Sequence, residues 1–287
     1  MPVNNSTSGQ AKLRNRIALF GAFLTCGMLI FVFGSPYYSI FPTNRNTVYN
    51  TIICIALGLC TFLLYRHERS GKYWQASYAF FVASVANWLL GLRVFRFLDA
   101  SSGTLAGITL DKMAQFLPVV FSILVLTAAA RWDMGSIYIK KGNLKRGLSV
   151  GLLIFAAFAA GGMMLGIGRG TSVAALLSAV PLLLVFCFAN ASMEELWFRG
   201  ILLKKLEPLL GSGSSLVLTT VVFGISHVGA TYVAGAQVLG LLATVLALGF
   251  GCGYLMQKTD TIWGAILVHA GADLFYALGI GFFTVPE

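Results

Sequence analysis

Nine apolar stretches, each about as long as a membrane crossing, alternate along this chain with short polar segments. They lie near 17 to 34, 48 to 65, 73 to 92, 113 to 130, 147 to 167, 172 to 191, 215 to 233, 236 to 256 and 261 to 283. A helix needs about 20 residues to cross a hydrocarbon core of ~30 Å, so each run is long enough or nearly so. Open strands would leave backbone donors unpaired in lipid, and the runs lack the two-residue alternation of a barrel. The pattern therefore predicts an all-α, polytopic membrane helical bundle of about nine transmembrane helices, or eight if one run does not cross.

Composition agrees. Of 287 residues, 57% are hydrophobic and 10% charged, with a mean hydropathy of +0.82; a soluble domain carries about 25% charged residues. The polar remainder is too short for a separate soluble domain. Lys12, Arg14 and Arg16 precede the first run as in a signal peptide, but that run outlasts an ordinary signal core and lacks a small-x-small cleavage site. It is expected to remain as the first span, behind a cytoplasmic tail over 1–16.

A net charge of +10 raises the question of nucleic acid, yet the 20 Lys and Arg are scattered between apolar runs rather than gathered in a stripe. They read as a topology signal, and no nucleic-acid partner is expected. With the N-terminus inside, the cytoplasmic segments hold 15 basic residues, among them Arg66, Lys140, Arg199, Lys204 and Lys258. Only Arg45, Arg93, Arg96, Lys112 and Arg169 fall outside. This asymmetry predicts an odd number of spans, with the N-terminus cytoplasmic and the C-terminus external. The expected location is a cell membrane, the inner membrane if the cell is bacterial.

Cys26, Cys54, Cys60, Cys187 and Cys252 all fall within apolar runs without CxxC spacing, so neither a disulfide framework nor a zinc knuckle is implied. The glycines of 161–170 lack the GK[ST] ending of a phosphate loop. Ala243, Ala247 and Gly251, spaced by four, are expected to let the eighth helix pack closely on its neighbours.

Ionisable groups inside a membrane helix cost ~2.5–3.5 kcal/mol on insertion scales, so each needs a partner or a purpose. The late helices hold several: Glu194, Glu195 and Arg199 at the end of the sixth span, His227 in the seventh, and His269 with Asp273 in the ninth. At ~1.5 Å per residue from the cytoplasmic ends, Glu194, His227 and His269 lie roughly 15, 18 and 12 Å deep, a shared level on three helices. Each has a plainer reading. A membrane histidine commonly bridges helices, and Glu195 with Arg199, four apart, suits an intrahelical ion pair. That pair still leaves Glu194, both histidines and Asp273 unexplained.

In order along the chain, Glu194-Glu195-Leu196-Trp197-Phe198-Arg199 reads as EExxxR, Phe223 to His227 as FxxxH, and His269 to Asp273 as HxxxD. The set resembles the three motifs of the CAAX protease and bacteriocin-processing family of intramembrane proteases, which includes the type II CAAX prenyl endopeptidases. The resemblance spans roughly 172 to 280. It implies a protease core over 147–287, preceded by N-terminal membrane helices of unknown role over 17–146.

The resemblance further implies an endopeptidase that hydrolyses a membrane-associated or lipidated peptide or protein from the cytoplasmic side. Glu194 and His227 would activate a water, and His269 with the residue at 273 would stabilise the oxyanion. Eukaryotic members tend to have Asn at that last position and bacterial relatives commonly accept Asp; Asp273 donates a hydrogen bond only when protonated. Members are usually described as metalloproteases. Glu194, His227 and His269 would supply three zinc ligands with an open fourth position, whereas the chain has no HExxH and a metal-free glutamate mechanism uses the same residues. Both routes stay open at this stage. So do two other classes of function: a proton-coupled transporter using the same groups as a relay, and a non-catalytic immunity or scaffold protein of the same fold.

Overall fold

A computed structural model describes residues 5–38, 40–94, 104–229 and 237–280, and among them the secondary structure is helical. Helix α1 spans Asn5–Met28 and continues as a π turn over Leu29–Phe33. It is followed by α2 (Thr43–Arg66), α3 (Trp74–Leu92), α4 (Leu105–Ala129) and α5 (Leu144–Gly168). Next come α6 (Val173–Glu194), a π-helical segment (Glu195–Leu203) and α7 (Lys204–Leu210), which form one unbroken helix of 38 residues. The bundle closes with α8 (Ser212–Val228), α9 (Gln237–Thr259) and α10 (Trp263–Ile280). Each apolar run of the sequence thus falls on a helix, and among the described residues six helices are long and apolar enough to cross a membrane. The chain is a multi-pass membrane protein.

Several boundaries differ from those the apolar runs suggest. The first helix begins at Asn5, so the described part of the expected tail is helical. The fourth begins at Leu105 rather than near 113, and its first two turns take in Lys112, which is 8% exposed and not a loop charge. The sixth does not end near 191 but runs to Leu210, so Glu194, Glu195 and Arg199 lie within it. Hydropathy missed this continuation because the charged residues there face protein, which satisfies them as lipid would not. The ends expected near 233 and 283, Arg96 and the C-terminus lie outside the described residues.

The continuous sixth helix is the axis of the bundle. It packs between α4 and α10, and its π segment touches α3, α4, α8 and α9. All nine residues of that segment are buried, as suits a helix surrounded by other helices. On the outside, α2 and α5 turn Ile52, Ile55, Leu59, Leu152, Leu153 and Met164 outward, where lipid is their solvent.

The closest approach joins α5 to α10. A Cβ at Gly162 would stand 2.9 Å from the Phe275 Cα, one at Gly151 2.8 Å from the Gly264 oxygen, and one at Gly271 2.8 Å from the Phe155 Cα. Without lipid-driven burial to hold membrane helices together, such backbone contact supplies the dispersion energy. The expected stripe on α9 proved wrong: Ala243, Ala247 and Gly251 face outward. The inward face of α9 is the neighbouring register of Val245, Gly249 and Gly253. A Cβ on Gly249 would meet an Arg199 guanidinium nitrogen at 2.5 Å. The four-residue spacing exists twice on this helix, and spacing alone does not say which copy faces inward.

Candidate active site

Glu194 ends the α-helical part of the sixth helix and Glu195 begins its π segment, so the adjacent carboxylates diverge. Successive helical side chains point about 100° apart. Glu195 is fully buried and accepts from Arg199 at 3.1 Å. Arg199 is equally buried, with its guanidinium carbon 3.9 Å from the centre of the Phe223 ring. The same Glu195 oxygen lies 2.7 Å from the His269 Nδ1. The ion pair read from the sequence therefore forms, and it also holds a histidine.

Both histidines have their Nδ1 committed. His227 Nδ1 is 2.8 Å from the Phe223 carbonyl oxygen, which can only accept, so Nδ1 carries the proton. His269 Nδ1 donates to Glu195 in the same way. In each ring Nε2 is left to face Glu194: His227 Nε2 and His269 Nε2 each lie 3.5 Å from the Glu194 Oε2. That oxygen is buried and hydrogen-bonded to no described residue. Buried carboxylate oxygens are rarely left so, and a water or a ligand atom between the three groups would satisfy it.

Asp273, one turn beyond His269 on α10, sits 3.7 Å from the His269 Nε2 and accepts from Asn190 at 3.0 Å. Glu194, His227, His269 and Asp273 line a cavity of about 480 Å³ between the helices. Phe31 and Asn87 from the first three helices, and Lys112 from α4, line it with them. The N-terminal helices thus complete the chamber whose chemistry the late helices supply.

The structure brings all six sequence-predicted residues together. Glu194, His227, His269 and Asp273 face the cavity, while Glu195 and Arg199 lie behind His269 in the core. Sequence reasoning missed Asn190 and Lys112. Asn190 had a signal, being a polar residue four before Glu194 in an apolar run and therefore on the same face. Lys112 looked like a charge at the mouth of a span, and only the earlier start of α4 reveals it as internal.

A carboxylate oxygen and two imidazole nitrogens, with both Nδ1 atoms held from behind, form the donor chemistry of a catalytic zinc site. As placed, however, no group of three or more His, Cys, Asp or Glu among the described residues is gathered so as to hold a metal. The arrangement does fit a water that donates to Glu194 and, when the His227 ring carries only its Nδ1 proton, to the His227 Nε2, two acceptors 3.5 Å apart.

No curated protein and no solved structure matches the chain. A protein-family model does, and its match covers all six residues on α6, the π segment, α8 and α10: residues 176–275 match the family described as type II CAAX prenyl endopeptidase, Rce1-like.

Proposed function

We propose that the chain is an intramembrane endopeptidase that hydrolyses a peptide bond of a membrane-associated substrate with a water activated by Glu194 and His227. The observation that carries this reading is the buried Glu194 Oε2, which faces two imidazole Nε2 atoms at 3.5 Å and has no hydrogen-bond partner among the described residues. A water held there gives its proton to Glu194 as its oxygen attacks the scissile carbonyl carbon. The oxyanion is received by His269, donating from Nε2 as the imidazolium, and by the amide of Asn190. Glu194 then passes its proton to the departing amine nitrogen as the C–N bond breaks. Donors aimed at the developing charge in a site of low dielectric are the largest lever on such a reaction.

Asp273 takes a different part in this scheme from the one its motif position suggests. As a carboxylate it cannot donate, and its contacts orient Asn190 and flank His269. Were zinc bound, Glu194, His227 and His269 would hold it, and it would supply Lewis acidity toward the carbonyl. The match to prenyl endopeptidases makes lipidated C-terminal peptides the first substrates to try.

The test is Glu194→Gln, an isosteric loss of the base. We expect unchanged detergent melting and a fall in kcat of about 10²–10⁴-fold, the usual contribution of a general base. Turnover at the wild-type rate would remove Glu194 from the mechanism. In the same assay wild-type activity is expected to survive exhaustive chelation; loss on chelation, restored by zinc, would replace the glutamate route with a metal-bound one.

A further inference from the structure

Lys204 and Lys205 follow one another at the end of the sixth helix and have different surroundings. Successive helical side chains point about 100° apart. Lys204 turns to Asp260 at 2.8 Å and lies over the Tyr138 ring, whereas Lys205 turns toward Trp132, just past the end of α4. Its Nζ stands 3.6 Å from the centre of the Trp132 ring. That ring is braced from α3: Tyr78 meets it edge-on with 5.0 Å between centres, and Trp74 stands at 5.8 Å. Lys205 is 9% exposed, yet its ammonium makes no hydrogen bond and no ion pair among the described residues, and the charge that acts on it is the like charge of Lys204. A ring face attracts an ammonium without neutralising it, and the three donors of the group stay unused.

What this corner lacks is an anion. A quaternary ammonium, the usual guest of aromatic rings, is excluded because Lys205 already occupies the Trp132 face with a charge of the same sign. The acidic residues of the adjoining segments, Glu68 and Asp133, are exposed and do not act on Lys205; Asp133 accepts instead from the Gly135 amide at 2.9 Å. They are outnumbered there by the exposed Arg66, Arg69, Lys72 and Arg131. Position says what brings the anion. Trp and Tyr gather at the headgroup level of a bilayer, and before Trp132 the outward face of α4 is apolar, with Val125 and Phe121 exposed. A ligand that fits both zones joins an anion to hydrocarbon, and basic pockets between membrane helices suit anionic headgroups.

We propose that the corner between α3, the end of α4 and the end of the sixth helix binds an anionic phospholipid, with its phosphate on the Lys205 ammonium and its acyl chains along Phe121 and Val125. The proposal does not rest on the peptidase reading. The contact is a charge-assisted hydrogen bond from Nζ to a phosphate oxygen, and no covalent bond is made or broken. Lys205 lies eleven residues beyond Glu194 on one continuous helix. The lipid therefore ties α4 to the helix that carries both carboxylates.

The test titrates the full-length, delipidated protein in detergent with dioleoyl phosphatidylglycerol, with dioleoylglycerol, which has the same chains and no phosphate, and with inorganic phosphate. Native mass spectrometry reads the bound lipid and melting curves read its effect. For the wild type we expect phosphatidylglycerol to bind roughly tenfold or more tighter than dioleoylglycerol, as one charge-assisted hydrogen bond would give, and to raise Tm. Lys205→Met should erase that preference and Lys205→Arg should keep most of it. Lys145→Met, which removes an exposed charge at the start of α5, should leave it unchanged and so exclude a general effect of surface charge. A preference for the phosphate that survives Lys205→Met overturns the assignment. Inorganic phosphate that displaces phosphatidylglycerol at equal concentration and raises Tm as much by itself would make the ligand a free anion and overturn the lipid. Should Lys205→Met not fold, photoactivatable phosphatidylglycerol on wild-type protein decides: cross-links within 121–132 support the site, and cross-links confined to other segments sink it.

Discussion

Arg199 never faces the cavity, yet it governs what does. Its guanidinium holds Glu195, Glu195 holds the His269 Nδ1, and that leaves the His269 Nε2 aimed at Glu194. The guanidinium has little else: its Nε and one terminal nitrogen have no hydrogen-bond partner among the described residues, and the Phe223 ring covers its face. Removing one member of a buried pair strands the other charge, at about 3–5 kcal/mol. Arg199→Ala is therefore expected to lower the detergent melting temperature and to lose activity with it, unlike Glu194→Gln, which should lose activity alone. Melting curves and peptide cleavage on both purified variants check the distinction; an Arg199→Ala protein as stable as wild type would show that the pair is dispensable. At this scale the sequence spoke clearly. Adjacent carboxylates diverge on any helix and the four-residue offset to Arg199 chooses Glu195 as the partner, so the division of labour could be read before the fold was known. That Glu195 also grips His269 could not, because the contact joins positions 74 residues apart.

Two elements fix where α10 stands, and both can be challenged. The first is the glycine seam with α5. A leucine at Gly162 must displace the Phe275 backbone, which lies 2.9 Å from where its Cβ would be. Overpacking of this kind costs about 1–3 kcal/mol, and because α10 carries His269 and Asp273, Gly162→Leu is expected to reduce stability and kcat together. A cleavage rate that held while the melting temperature fell would show that α10 keeps its position without the seam. The second is a clasp at the other end of the bundle. Asp260, between α9 and α10, pairs with Lys140 from the loop before α5 and with Lys204 at 2.8 Å. The Thr261 hydroxyl donates to the Lys140 carbonyl at 2.7 Å, and Lys204 lies over the Tyr138 ring. Partial burial alone would raise the Asp260 carboxyl, but hydrogen bonds from Lys140 and Lys204 outweigh it and hold the group below the usual aspartate value. A lowered folded-state value means stability that is present above the unfolded value near ~3.9 and is lost as pH falls through the folded one. Melting temperature should therefore drop on acidification below about pH 4, and Asp260→Asn should flatten that drop at a cost near neutrality of no more than about 1 kcal/mol, since the carboxylate is half exposed. An unchanged acid limb in Asp260→Asn would assign the sensitivity elsewhere.

Across the described residues, each apolar run fell on a helix, but hydropathy misjudged what lies between helices and what lies within them. The charge count placed Lys112 and Arg199 with the connecting segments because a sliding apolar run stops at a cation, whereas the bundle shelters both inside. Moving them inward takes one residue from each side of the charge asymmetry, so the expected orientation does not change. Reporter fusions after Lys141, Lys205 and Lys258 should score cytoplasmic, and fusions near Arg169 or after Glu287 external. A cytoplasmic C-terminus would rule out nine crossings. The chamber itself was not legible. Phe31, Asn87 and Lys112 belong to helices without any motif, and their share in the cavity arises from long-range packing that no local pattern encodes.

The π-helical stretch from Glu195 to Leu203 stores length. Its hydrogen bonds reach five residues back instead of four, so each turn takes up one residue more than an α-turn would. A chain shorter by a single residue between Gly200 and Leu203 would keep every motif and the same hydropathy. One wide turn would close as an ordinary α-turn, and the carboxylates would hold their phase against the Lys204 anchor of the clasp. A deletion in the α-helical stretch before Glu194 has no such slack to draw on and would turn everything ahead of it by about 100°. Slack in a belt is taken up at one place, and here that place lies beside the site.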